Sequence, residues 1–590
     1  MNPDPSTQTR PLRPLWFSLL SVGIGVIAAF GAVVFRALIG FVHNAMFLGQ
    51  LTTGYDANLH TPASPWGPGV ILVPVVGAVI VAFVVKNFAP EAKGHGVPEV
   101  MNAIYYNRGR IRPVVALIKS LASAVSIGTG GSVGREGPII QIGSSMGSTA
   151  GQLLRVPAWQ RITLIACGAG AGIAATFNTP IGGVLFVLET MMHEVSVRTI
   201  VPVAIATATA TYIGRIFFGP HPSFVIPALQ TPQFHTTNPL LLIAFVALGL
   251  LMGVVAALFI RSIYSTEDFF DRVIGGSYYR RHMLGMFGVG VMIYSLMLTT
   301  GHYHVAGVGY ATVQDILSGA SMPFTLLVVL FVLKLLATSL TLGSGASGGI
   351  FSPALFLGAT LGGAFGLALN WMFPSLPFNV PAFALAGMAG MVGGSTGAAV
   401  AAIVLIFEMT LDYNVIVPMT ITVAISYGVR RVLCRESIYT MKLSRRGHYL
   451  PQALRTGPQF MRRAKEISRT EFEPLASTMT LGEFSGLVAE ESPVRYFLVE
   501  EDEKIIGSVH RSVALQSLRQ DRKAVQLKEV VDTRFITVTE DASLYEVIDQ
   551  LHARGVSLAL VTGPTGTVTG VISKERLADA AIASAELFRD

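Results

Sequence analysis

Charge is spread along this chain in a way that few folds can accommodate. Residues 451–590 hold 38 of the 77 Asp, Glu, Lys and Arg, which is 27% of their positions. Residues 1–450 hold the other 39, under 9%. A soluble globular protein carries about 25% charged residues. So sparse a supply cannot keep a surface of that size wet, so the first 450 residues must face lipid. The remainder reads as an ordinary soluble domain. This division excludes a cytosolic enzyme, a secreted disulfide scaffold and a nucleic-acid binder.

The formal net charge of +7 divides the same way, +11 in the first 450 residues and −4 beyond them. Lys and Arg gather in cytoplasmic loops, so the basic balance reflects membrane topology. Cys167 and Cys434 both lie in apolar stretches and offer neither a disulfide framework nor a metal cluster. Arg10 and Arg13 precede the apolar run from Leu15 with no cleavage-like site, which predicts an uncleaved cytoplasmic N-terminus.

A spanning helix needs about 20 apolar residues. Trp16–Gly40, Gly67–Val85, Leu240–Phe259, Met283–Leu298 and Phe324–Leu342 qualify. Ile139–Leu154, Ile162–Ala175, Ile181–Met192, Pro353–Leu369 and Ala382–Val392 look too short or are cut by Gly and Pro. Irregular backbone at membrane depth survives only where protein buries it or where it lines a cavity. The pattern predicts a site built from broken helix ends.

An internal repeat strengthens that expectation. Lys119–Ser148 and Lys334–Gly363, 215 residues apart, agree at ten of 30 positions, including the frame G-x-G-x-S-x-G-x-x-x-P. At an offset of 219, Gly168 and Glu189 correspond to Gly387 and Glu408. Paired Gly/Pro-interrupted segments in two halves point to a transporter's binding site. The chemistry they supply comes from the backbone. A Gly-rich turn opening a helix leaves several N–H groups free at the positive end of the dipole, which suits an anion. Gly134-Arg135-Glu136-Gly137-Pro138 and Gly349-Ile350-Phe351-Ser352-Pro353 each place Pro just inside the next helix. Glu136 either satisfies a helix dipole or mimics the anion, plugs its seat and leaves on protonation. Its partner in the second copy is Phe351, an apolar counterpart.

These segments, with Gly94-His95-Gly96-Val97-Pro98-Glu99, Phe407-Glu408-Met409-Thr410 and Tyr439, resemble the CLC chloride channel/transporter family over about residues 15–445. The resemblance implies an all-α polytopic membrane protein with an inverted-topology two-repeat fold, rich in broken and re-entrant helices, and a homodimer with one anion path per subunit. It implies chloride transport, most readily as chloride/proton exchange, with passive conduction the alternative, through the cell inner membrane with both termini cytoplasmic. Glu136 becomes the gating glutamate. His95, Gly96, Gly134, Arg135, Gly137, Gly349, Ile350, Phe351 and Tyr439 become the anion-binding set, the amides of Ile350 and Phe351 and the Tyr439 hydroxyl holding the ion. Repeat 1 runs over about 15–235 and repeat 2 over about 236–445, after a cytoplasmic stretch at 1–14.

Two departures from the family pattern matter. The first anion loop usually carries Ser where His95 stands. An imidazole donates one hydrogen bond when neutral and two when charged, and titrates near physiological pH. His95 therefore either tunes selectivity and pH response or points away from the path. The inner proton-relaying glutamate of exchangers aligns with Thr190, next to Glu189, which matches an acid that is structural in the family. Thr carries no proton at neutral pH, so a relay needs water or a neighbour such as His193 or Glu194. Lys119 and Lys334, at matched repeat positions, either add positive potential or serve structure.

After a basic linker over 446–470, residues 471–590 resemble a cytoplasmic pair of CBS domains, an α+β module that often binds adenine nucleotides. The second copy, about 530–585, has the better pattern; the first is degenerate. Arg576 stands where an Asp commonly holds ribose, so a dimerising or structural tail competes with nucleotide binding. A cation transporter with such a tail would need acidic clusters at mid-membrane, and only isolated carboxylates are present. An enzyme would need a nucleophile with a base, or a metal constellation, which the motifs lack. His302 and His304 lack further ligands in sequence.

Overall fold

The computed structural model describes residues 11–192, 196–226, 239–376, 378–448, 463–470, 472–489, 496–502, 504–513, 523–542, 544–563 and 566–577. Two compact units divide the chain, 1–450 and 451–590.

Among the described residues, the long and short helices of the membrane unit fall into two sets of eight that match one to one. The first set is α1 (Pro14–His43), α2 (Val73–Phe88), α3 (Val97–Tyr105), α4 (Val114–Gly128), α5 (Glu136–Leu153), α6 (Ala158–Phe177), α7 (Pro180–Val187) and α8 (Val197–Phe218). The second is α9 (Pro239–Phe269), α10 (Tyr278–Thr300), α11 (Tyr310–Leu317), α12 (Phe324–Ser344), α13 (Phe351–Met372), α14 (Val380–Thr396), α15 (Ala399–Thr410) and α16 (Ile416–Leu433). A single turn, α17 (Thr440–Ser444), follows. Proline marks many of the starts, with Pro14, Pro74, Pro98, Pro138, Pro180, Pro353 and Pro381 all in a first helical turn. There the missing N–H would have had no partner anyway.

Among the described residues eight helices are long and apolar enough to cross a membrane. Five were expected. Val197–Phe218 and Tyr413–Leu433 were not, their apolar runs being diluted by Thr, Arg and Tyr. The third, Phe351–Met372, corrects the reading of Pro353–Leu369 as a fragment. Likewise α5, α6 and α14 are 18, 20 and 17 residues long. Their glycines are packing surfaces and not breaks. A Cβ on Gly143 would lie 2.1 Å from the Gly168 carbonyl oxygen, and one on Gly358 would lie 2.4 Å from that of Gly387. Small residues let membrane helices approach backbone to backbone, and α5–α6 and α13–α14 do so at repeat-matched positions. The short helices are α3, α7 and α11, of 9, 8 and 8 residues, and α15, of 12.

Reciprocal contacts define how the halves are related. The Glu189 carboxylate accepts from the amides of Val400 and Ala401 (3.3 and 2.8 Å), opening α15. Glu408 accepts from those of Ile181 and Gly182 (3.1 and 2.7 Å), opening α7. Shifting either set by 219 gives the other. An operation that exchanges the halves and is its own inverse is a two-fold rotation.

The second unit holds two copies of one β-α-β-β plan. In the first copy β1 (Phe472–Ala476) pairs in parallel with β2 (Tyr496–Glu501), which pairs antiparallel with β3 (Lys504–Val509); α18 (Leu481–Ala489) joins β1 to β2. In the second, β4 (Phe535–Thr539), β5 (Leu558–Thr562) and β6 (Val568–Ser573) repeat the pairing around α19 (Leu544–Ala553). The first copy, read as degenerate, thus keeps the whole plan, including a strand, β1, that its sequence pattern hid. Ala464, read as linker, packs with Ile536, Val547 and Ile572 of the second copy.

Candidate functional site

Three glycine-rich loops meet where the two repeats touch. The Gly134 amide donates to the Gly349 carbonyl (2.8 Å) and the Gly349 amide to the Gly134 carbonyl (2.6 Å), so the turns opening α5 and α13 lock to each other. The Gly94 amide donates to the Ala346 carbonyl at 2.9 Å, adding the loop that opens α3. Side chains would not fit between them. A Cβ on Gly137 would lie 2.2 Å from the His95 carbonyl oxygen, and one on Gly349 would lie 2.8 Å from the Gly137 nitrogen. The two frames of the repeat thus lie backbone to backbone.

Two buried lysines set these loops, and here a further piece of the repeat emerges. Lys119 on α4 donates to the carbonyls of Ala92 and Gly94 (2.9 and 2.7 Å). Lys334 on α12 donates to those of Val305 and Gly307 (3.1 and 2.9 Å). Gly94-His95-Gly96 therefore has a counterpart in Gly307-Val308-Gly309. Gly96 (φ 83°) and Gly309 (φ 80°) precede α3 and α11 in a left-handed conformation that favours glycine. The G-x-G spacing and the matched lysines are the signal that could have revealed this second loop. Its offset is 213, two residues short of the 215 that relates the flanking segments. The structure gives both lysines a structural task.

Glu136 is the first residue of α5 and is 2% exposed. Its Oε2 accepts from the Ser352 amide at 3.3 Å, in the first turn of α13. Its Oε1 accepts from the Tyr310 hydroxyl at 2.5 Å and from the Ser352 hydroxyl. The carboxylate of one repeat thus occupies the positive helix end of the other, where the dipole favours an anion. Sequence reasoning named neither Tyr310 nor the Ser352 side chain as a site residue.

Glu136, Phe351 and Tyr439 line one cavity together with Phe177, Phe186 and Leu405. The Phe351 ring lies 5.8 Å from that of Phe177 and 6.4 Å from that of Phe186, which in turn is 6.4 Å from Tyr439. Ile350 precedes α13 and is buried. The first four amides of such a helix have no intrahelical acceptor. Arg135 places its guanidinium 5.5 Å from the Tyr310 ring and 5.8 Å from that of Phe177, with its Nε buried and unpartnered.

His95 is buried within 6.0 Å of the Tyr439 ring. Its Nε2 lies 3.4 Å from the Tyr264 hydroxyl, which donates its proton to the Ile438 carbonyl at 2.6 Å. The Nδ1 of His95 has no partner. Thr190 sits on the turn of π-helix after α7 with a buried, unpartnered hydroxyl. Glu189 is committed to the two α15 amides and makes no contact with Glu136, which fits the structural reading and removes it from the gating and proton-handling residues. His193 and Glu194 lie outside the described residues.

The remaining candidates hold no metal geometry. His60 contacts Asp315 at 2.7 Å and stacks on His302 at 4.0 Å, and His304 Nδ1 meets the Thr312 hydroxyl at 2.8 Å. Burial beside His60 and His302 pushes His304 down to about 4. Among the described residues no three His, Cys, Asp or Glu are arranged for a metal ion. Arg576 donates through Nε to the Ile467 carbonyl at 3.1 Å.

The profile of the voltage gated chloride channel family matches residues 77–431, and that of the CBS domain matches 527–583. The H(+)/Cl(-) exchange transporter ClcA of Yersinia pseudotuberculosis serotype IB (strain PB1/+) is 31% identical over 443 residues, covering 74% of this chain and 89% of its own. A slow cyanobacterial Cl−/H+ antiporter superposes with a TM-score of 0.63 at 27% identity, covering 74% of this chain and 98% of its own. A eukaryotic CLC transporter, 21% identical, shares the fold with a TM-score of 0.61 over 95% of this chain and 98% of its own.

Proposed function

The chain belongs to the voltage gated chloride channel family, and we propose that it exchanges chloride for protons across the cell inner membrane as a multi-pass homodimer with one path per subunit. One observation carries this reading. A single carboxylate of repeat 1, Glu136, fills the amide-rich mouth of α13 in repeat 2. Charge logic supplies the mechanism. The ionised carboxylate and an anion compete for the same donors, and a proton on Glu136 removes its claim on them. Donors at Gly96, Arg135, Gly137, Ile350, Phe351 and Tyr439 then serve the ion, with the unpartnered His95 Nδ1 beside them; the Gly134 and Gly349 amides, expected from sequence to bind it, are instead spent on each other's carbonyls. Lys and Arg in the loops put both termini on the cytoplasmic side. Proton access from that side passes Thr190 by way of water. The second unit is a structural tail; Arg576, tied to Ile467, leaves an adenine nucleotide without its usual ribose partner.

Flux from vesicles holding the full-length protein tests this. A pH gradient alone should drive chloride uphill, and Glu136→Ala should keep anion flux while ending proton movement. A reversal potential indifferent to the pH gradient would make the protein a passive conduit and overturn exchange.

A further inference from the structure

We infer that Tyr310 is a positioning residue for the gate: with Ser352 it forms a hydroxyl clamp that still engages Glu136 once it is protonated, delays its departure from the seat and thereby limits turnover. This rests on the exchange reading above. Three oxygens lie in a closed triangle. Tyr310 Oη is 2.5 Å from Glu136 Oε1 and 2.7 Å from Ser352 Oγ, and Ser352 Oγ is bonded to the same Oε1. The two hydroxyls bring one proton each. When Glu136 is ionised, both protons point at Oε1 and the Tyr310–Ser352 edge has none. When Glu136 is protonated on Oε1, its proton goes to the Tyr310 oxygen and the Tyr310 proton turns to Ser352 Oγ, so all three edges are filled, and Oε2 still accepts from the Ser352 amide. A seat of backbone amides alone has nothing to accept the proton of a carboxylic acid, so it releases the acid form. This seat has acceptors on two hydroxyls and slows that release.

The placement is built in. Tyr310 opens α11 directly after Gly309, in the loop that Lys334 ties through Val305 and Gly307. Phe224 packs edge-on against the Tyr310 ring at 5.3 Å, and Arg135 covers it at 5.5 Å. The matched position in repeat 1 is Val97, which has no hydroxyl. The clamp is thus an addition to one half only. The charged and titratable groups facing it are Glu136, Arg135 and Lys334.

The test compares Tyr310→Phe and Ser352→Ala with the unaltered full-length protein in vesicles, and repeats both changes in a Glu136→Ala background. A hydrogen bond to a charged group contributes enough to change an equilibrium by about tenfold. Tyr310→Phe should therefore raise chloride and proton turnover about tenfold with their ratio unchanged, and Ser352→Ala should do so to a similar extent. In the Glu136→Ala background neither change should raise anion flux, because the carboxyl that the clamp holds is gone. Equal effects with and without the carboxyl, or slower turnover by a folded Tyr310→Phe protein, would overturn the clamp. Absence of proton-coupled flux in the unaltered protein would instead refute the exchange reading, leaving the two failures distinct.

Discussion

The two repeats share a scaffold and differ in chemistry, and the difference separates what holds the protein together from what it does. Positions shared through the two-fold carry structural tasks. Gly143–Gly168 and Gly358–Gly387 bring helices to backbone contact, Lys119 and Lys334 tie loops, and Glu189 and Glu408 cap helices across the interface. Unshared positions gather at the seat: Glu136 against Phe351, Gly137 against Ser352, Val97 against Tyr310, His95 against Val308. A symmetric frame bears an asymmetric lock. A second acid beside Glu136 would repel the first.

This contrast can be broken most severely at Glu136. Glu136→Ala should abolish proton coupling, whereas Phe351→Ala should retain it, as simultaneous chloride and proton flux recordings would show; coupling lost equally in both would erase the asymmetry. Shared positions should behave alike. Lys119→Met and Lys334→Met each strand two buried carbonyls and should each destabilise by about 2–4 kcal/mol, visible as matched drops in thermal unfolding in detergent. Glu189→Gln and Glu408→Gln weaken a carboxylate on two amides and should each cost about 1–2 kcal/mol, with a large mismatch between them contradicting equal capping roles.

The smallest effect should come from the tail. In its first copy the Glu483 carboxylate accepts from the Thr480 amide and hydroxyl, both at 2.8 Å, which holds its pKa below the usual carboxylate value. A depressed carboxylate stabilises above its unfolded-state pKa of 4.5, and that contribution fades as pH falls further. Glu483→Gln should therefore lower the tail's unfolding temperature slightly at pH 7 and not at pH 3; the same small loss at both would remove the charge from the explanation.

Reading the sequence went furthest where physics is local. Charge depletion announced lipid, the repeat announced two halves, and G-R-E-G-P announced an acid at a helix start. It misjudged α13 and α14 because glycine looks like a break until a facing carbonyl shows why no Cβ fits. It missed α8 and α16 because Thr, Arg and Tyr lower hydropathy without preventing a helix from crossing. Tyr310 escaped because a tyrosine 174 residues from Glu136 carries no local mark of its partner.

The amino-acid order alone therefore determined the solvent of each region, the doubling of the membrane unit and the placement of one carboxylate among glycines, since apolar runs, spacing and helix dipoles are properties of short segments. Which groups share the seat was decided only by tertiary structure. Hydrogen bonds reach about 3 Å, and only folding brings α5, α11 and α13 within that distance.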